Sequence, residues 1–253
     1  MLHDPHGPCG RRFAPTRLMP ARLAGGPDLA HENGMAQIDT SFLARFFQNA
    51  AARLDAQRDE LCHLDGEIGD GDHGSSMANG FAAVAALVRG GRHLPEDPAA
   101  LMREAAAAFL GDVGATVGPL YATAMLDAAK TLDKGPLPLD RAPEFLAAMA
   151  GGIARRGKAG PGDKTMLDAW LPAVHAAELA LREGAGVTEA AWRAATSARA
   201  GAEATATMIA SRGRAARLKE RSLGHRDPGA VSAALILEGF ADAVGPPPAG
   251  TDS

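Results

Sequence analysis

Residues 40–61 read TSFLARFFQNAAARLDAQRDEL, and their apolar side chains, Phe42, Leu43, Phe46, Phe47, Ala50, Leu54 and Leu61, return at helical intervals. With 3.6 residues to a turn this spacing gathers them on one face of an amphipathic helix, whereas a half-buried strand would alternate. Thr40 or Ser41 is a suitable N-cap, because a short hydroxyl side chain accepts from the free amides of a first turn. Downstream the same period recurs in Met77, Phe81, Val84 and Val88, then in Leu101, Ala105, Phe109 and Val113. A fourth helix is predicted from about Pro119 to Leu132, and a fifth through Phe145, Leu146, Met149 and Ile153, stopping before Gly157. Met166, Trp170, Leu171, Val174 and Leu181 make a sixth, with a kink expected at Pro172. The seventh covers about Thr188 to Ser211, and the eighth starts at Pro228 and carries Ala230, Ala233, Ala234, Ile236, Leu237 and Phe240. Short polar or Gly/Pro connections make sequential helices antiparallel neighbours, so the expected fold is all-α, an up-and-down barrel or bundle of eight helices.

Composition agrees with that reading. The 46% hydrophobic content is mostly alanine, aromatics are only 4%, and β-branched runs are scarce, so the core is built of small side chains on helices and sheets are improbable. A net charge of −4 and a pI near 6.1 exclude general nucleic-acid binding, which calls for a basic surface. No apolar stretch approaches the roughly 20 residues that span a bilayer, and no signal-peptide core precedes the helices, so a cytoplasmic protein without a membrane anchor is expected. Cys9 and Cys62 have neither metal-ligand spacing nor the look of a disulfide framework and read as free thiols. Residues 1–34, rich in Pro, Gly and Arg, read as a disordered extension, with translation from Met35 as the alternative; residues 35–245 make one domain and 246–253 a short tail.

In the up-and-down topology the loops after helices one, three, five and seven emerge at one end, and these four are the unusual ones. The first, LDGEIGDGDHG at 64–74, puts Asp65, Asp70, Asp72 and His73 among four glycines. Three carboxylates so close repel unless a cation holds them, and glycine lets the backbone turn all three to one spot. Carboxylates with room left for water and phosphate suit Mg²⁺; an acidic, solvated turn is the alternative. An EF-hand does not fit: from Asp65 the alternate oxygens fall on Glu67 and Gly69, from Asp70 on Asp72 and Gly74, and no closing glutamate follows. No GxxxxGK[ST] cradle is present either. In the second loop, 111–119, Gly114 and Gly118 allow close approach and Pro119 suits a first helical position, with amides free for an anion or simply a tight turn. The third, 157–165, brings Lys158 and Lys164 for a phosphate or an adenine edge, or merely as solvated charges, beside Asp163 and Thr165 at a helix start. The fourth, 212–229, concentrates Arg212, Arg214, Arg217, Arg221 and Arg226, and ends in Asp227 as N-cap, Pro228 at N1 and Gly229 against the helix end. His73 and His225 taken singly read as hydrogen-bonded structural histidines.

Taken together, LDGEIGDGDHG, GPLYATAM, GKAGPGDKTMLDAWLPA and ERSLGHRDPGA resemble, in order and separation, the signatures of the L-subunit family of dihydroxyacetone kinases, the DhaL or DAK2 domain. The resemblance runs from Thr40 to Val244. It implies an eight-helix antiparallel barrel binding ADP or ATP through two Mg²⁺ at one end. Asp65, Asp70 and Asp72 would be the magnesium ligands, and His73, Ser75, Ser76, Thr116, Val117, Gly157, Met166, Arg214, Asp227, Pro228 and Gly229 would fall at the nucleotide. No catalytic residue beyond the metal ligands is implied. The partners implied are a K subunit that holds dihydroxyacetone, in one branch a phosphohistidine-carrying M subunit of the phosphoenolpyruvate system, and a second copy of the chain in a hetero-oligomer. Family members also suggest a kinase for another acceptor, a tetrulose sugar or a fatty acid, or an ADP/ATP-sensing module that binds a regulator. The chain departs from the pattern at Val117, where a serine is usual, at Ser76, often asparagine, and at Arg217 and Lys219, usually tyrosine and glycine; Thr116 returns a hydroxyl one position away.

Overall fold

The computed structural model describes residues 36–89, 94–114 and 116–248, all within one compact unit, Met35–Ser253. The expected disordered extension, Cys9, and the last residues of the expected tail lie outside the described residues. Nine α-helices are described: α1 (Thr40–Ala56), α2 (Arg58–Ile68), α3 (His73–Arg89), α4 (Pro98–Asp112), α5 (Val117–Thr131), α6 (Ala142–Gly157), α7 (Leu167–Arg182), α8 (Val187–Ala204) and α9 (Pro228–Val244). Two-residue strands β1 (Gln37–Ile38) and β2 (Leu137–Pro138) pair antiparallel, the only sheet among the described residues. The fold is all-α. No described helix is long and apolar enough to cross a membrane.

The ninth helix comes from the opening stretch: at Gln57, φ −109° and ψ 12°, the chain leaves the helix for one residue and divides the expected first helix into α1 and α2. Consecutive helices pack on one another from α3 to α9, α9 returns to α1, and α1 packs on α3, closing a ring of eight on which α2 rests against α3 and α9. Phe42, Phe46 and Phe240 meet edge to face inside it, and Phe81, Phe109 and Tyr121 form a second aromatic group. Buried alanines on nearly every helix let the backbones approach closely.

Several boundaries differ from the sequence expectation for local reasons. Asp39, not Thr40 or Ser41, caps α1, its carboxylate accepting from Phe42 N at 2.7 Å, while the Thr40 hydroxyl donates to Pro95 O at 2.8 Å. Pro119 stands in the third position of α5, after Val117 and Gly118. Helix α6 includes Gly157, and the left-handed residue that ends it is Lys158 at φ 51°. Pro172 lies inside an unbroken α7. Helix α8 ends at Ala204 instead of reaching Ser211, because the Thr205 hydroxyl turns back to Ala202 O and accepts from Asp227 N at 2.8 Å, and the chain then runs through short 3₁₀ turns.

Candidate functional site

All four unusual loops line one pocket. Asp65, Gly69, Asp72, His73 and Ser76 come from the first, Gly114, Thr116 and Val117 from the second, Gly157, Lys164, Thr165 and Met166 from the third, and Arg212 to Ala215 with Asp227 to Gly229 from the fourth. Ile68, Leu120, Ile153 and Ala159 add an apolar wall that the sequence reading did not place there. Only helical periodicity, which puts Leu120 and Ile153 on the inner faces of α5 and α6, carried a hint of it.

The acidic corner is built by the turn between α2 and α3. The amide of Gly69 closes α2 onto Asp65 O at 2.5 Å, and a Cβ at Gly69 would push the Asp65 carboxylate from its place, so glycine leaves room for the chain to fold over it. Gly71 takes φ 78°, a left-handed value glycine adopts without strain. The other oxygen of Asp65 accepts from Asp72 N at 3.0 Å and His73 N at 3.2 Å, so a carboxylate from α2 caps the start of α3. Oxygens of Asp65, Asp70 and Asp72 lie within 4.8 Å of one another. Asp70 is not in the pocket lining itself. Its carboxylate pairs with Arg214, whose guanidinium also stands 3.9 Å from Asp72. A cation already bridges part of the trio, which is direct evidence that this corner attracts positive charge.

His73 is buried, with Nε2 2.9 Å from Ser232 Oγ. The Ser232 hydroxyl is 3.0 Å from Gly229 O, to which it donates, so it accepts from the imidazole. Burial holds His73 neutral, its pKa down to about 4, although the Asp65 charge pulls the other way. Asp227 caps α9, accepting from Ala230 N at 2.7 Å. It is half-buried at the pocket floor, and burial pushes its carboxyl up to about 7 against the pull of that amide. Pro228 has no N–H and Ala230 is capped, which leaves Gly229 N–H for a ligand.

The basic residues divide. Arg214 and Arg212 reach the pocket, the latter 3.5 Å from Asp163. Arg226 is tied to Glu60 at 2.9 Å and Glu203 at 2.8 Å, and His225 to Glu67 at 3.0 Å; these fasten the fourth loop. Arg217, Lys219 and Arg221 are exposed and form no ion pair with any described residue. Lys164, read as a phosphate or adenine contact or as a solvated charge, is neither: it turns its ammonium to backbone carbonyls, while Lys158 is exposed at the end of α6. Ser75 lies outside the lining, its hydroxyl 3.6 Å from Cys62 Sγ. Asp168, which the sequence did not single out, is buried and accepts from Gly162 N and Thr165 N, shaping the third loop.

The chain is thus a helical barrel whose rim gathers carboxylates, a helix N-terminus and arginine at one apolar-walled pocket. The DAK2 domain model matches residues 67–242. The chain belongs to that family, the L subunits of dihydroxyacetone kinases. It is 37% identical over 183 residues to the ADP-binding subunit DhaL of the PEP-dependent dihydroxyacetone kinase of Escherichia coli, covering 70% of this chain and 84% of that one. A DhaL of Listeria innocua is 35% identical over 202 residues, covering 79% and 93%. Human triokinase/FMN cyclase is 33% identical over 88% of this chain, which spans only 38% of that longer protein. The crystal structure of the C. freundii dihydroxyacetone kinase in complex with AMP-PNP and Mg²⁺ superposes with a TM-score of 0.63 at 24% identity, over 90% of this chain and 38% of that one, a likeness of fold.

Proposed function

We propose that this chain is the nucleotide-binding phosphotransferase subunit of a dihydroxyacetone kinase, acting on dihydroxyacetone held by a separate K subunit. The observation that carries the reading is the gathering of Asp65, Asp70 and Asp72 within 4.8 Å beside an apolar-walled pocket floored by a helix N-terminus. The donor set is oxygen only, which fits hard Mg²⁺ ions rather than softer metals. Bound there, Mg²⁺ would neutralise charge on the phosphates during transfer. The chain's own groups have separable tasks. Asp65 keeps Oδ1 for a metal because its other oxygen is held by two amides. The Asp70 and Asp72 carboxylates serve as ligands rather than bases, Arg214 and the Gly229 amide meet phosphate oxygens, and Met166, Leu120 and Ile153 give the base an apolar face. Thr116 heads α5 with its hydroxyl unused in capping, so it can replace the donor that Val117 lacks. His73 orients the α9 end through Ser232 rather than moving protons.

The relatives also include a D-erythrulose kinase of Mycolicibacterium smegmatis, 35% identical over 87% of this chain, which favours as second reading a tetrulose acceptor. Mixing the chain with Mg²⁺, ATP, a K subunit and dihydroxyacetone should yield phosphorylated sugar only when both proteins are present. Asp70→Asn and Asp72→Asn should abolish transfer with helical circular dichroism unchanged. Product from erythrulose alone would select the second reading, and nucleotide binding without turnover on any acceptor would make the chain a sensing module. ADP binding indifferent to chelation of divalent cations would overturn the metal assignment.

A further inference from the structure

Lys164 is 1% exposed, with its backbone in the left-handed region at φ 58°. An ammonium has three N–H donors, and here their acceptors are Met208 O at 3.2 Å, Ser222 O at 2.5 Å and His225 O at 2.6 Å. None remains for a phosphate. The Met208 and His225 carbonyls flank residues 209–224 and that of Ser222 lies just inside the far end, so the cation sits at the neck of the loop that carries Arg212 and Arg214 to the pocket. The preceding residue works on the same loop: Asp163 O accepts from Ser211 N at 3.2 Å, and its carboxylate takes the Ser211 hydroxyl. Closing a loop at its neck removes most of its freedom at the cost of a few ordered groups. Without the ammonium the buried Ser222 carbonyl would carry a full desolvation penalty and those of half-buried Met208 and His225 a smaller one, so its removal should loosen the neck.

We propose that Lys164 is a positioning residue for nucleotide binding: it ties the neck of the 208–225 loop so that Arg214 faces the acidic trio, and touches no nucleotide itself. The inference rests on the reading that this pocket takes Mg²⁺-nucleotide. Lys164→Met keeps the aliphatic stem and removes the donors. In the full chain it should raise the calorimetric Kd for ADP with Mg²⁺ ten-fold or more, and amides of residues 209–224, but not those of α1 or α9, should exchange hydrogen faster. In Lys164→Ala, propylammonium should restore ADP affinity, whereas tetramethylammonium, without N–H groups, should not. If Lys164→Met does not fold, Lys164→Gln, which keeps two donors, takes the same measurements. Wild-type affinity in a folded variant overturns the inference, and so does lost affinity without faster exchange in 209–224, which would mean direct contact with the nucleotide. Failure of the wild type itself to bind ADP with Mg²⁺ overturns the underlying reading and this inference with it.

Discussion

Lys219 adopts φ 50° and ψ −126°, a combination open to glycine and strained for any side chain. The surroundings hold it there: the Ser222 hydroxyl donates to Lys219 O at 2.6 Å and accepts from Ala210 N at 2.9 Å. Its side chain is exposed and makes no ion pair with any described residue, so no described charge offsets the strain. Lys219→Gly should therefore stabilise the protein. Relief of about 1–3 kcal/mol, less the ~0.5–1 kcal/mol by which glycine favours the unfolded chain, leaves about 1 kcal/mol and a Tm higher by roughly 2–4 °C. A melt with Tm unchanged or lowered would contradict the strain. At this scale the sequence was legible where one short segment holds the whole device, as in the acidic trio or the Asp227 cap. Lys164 was not, because its three acceptors lie 44, 58 and 61 residues away and nothing near it in the chain marks them. A lysine in a glycine-rich turn reads as a ligand contact or a solvated charge until the fold brings carbonyls to it.

Helices were legible because burial of one face imposes a period, and every predicted stripe falls on helices apart from the end residues Val113 and Met166, which flank α4 and α7. The break at Gln57 was not, since Leu54 and Leu61 stand two turns apart, as on one continuous helix, and no glycine or proline interrupts them. Packing between elements has its own hidden determinants. Pro172 has no N–H for Asp168 O, the carbonyl one turn back in α7, and that oxygen faces Gly201 of α8. A Cβ at Gly201 would stand 2.0 Å from that oxygen and 3.3 Å from Ala169 Cα, both backbone atoms that no rotamer change can move. Gly201→Ala should force α7 and α8 apart and cost about 1–3 kcal/mol, outweighing alanine's better helix propensity. The displaced Asp168 also shapes the third loop, so ADP affinity should fall as well. Urea denaturation giving an unchanged midpoint would show that the two helices have slack here.

The pocket draws on residues from Asp65 to Gly229, so a ligand in it joins elements whose mutual placement only the closed ring of helices supplies. Binding confined to the folded chain must then appear as global stability. At free ADP 100 times its Kd, with Mg²⁺ present, mass action adds about 2.7 kcal/mol, which for a chain of this size raises Tm by roughly 5–10 °C. Mg²⁺ alone should give a smaller rise, because it must displace Arg214 from Asp70 and gains only carboxylates in return. ADP with a chelator should give almost none, since its phosphates would face an acidic trio that Arg214 only partly offsets. Asp70→Asn should lose most of the ADP-dependent rise, while its unliganded Tm stays within a few degrees, the exposed Asp70–Arg214 pair contributing at most about 1 kcal/mol. Full ADP stabilisation in chelator, or in Asp70→Asn, would separate the nucleotide from the acidic corner and leave Arg214, the Gly229 amide and the apolar wall as its anchors.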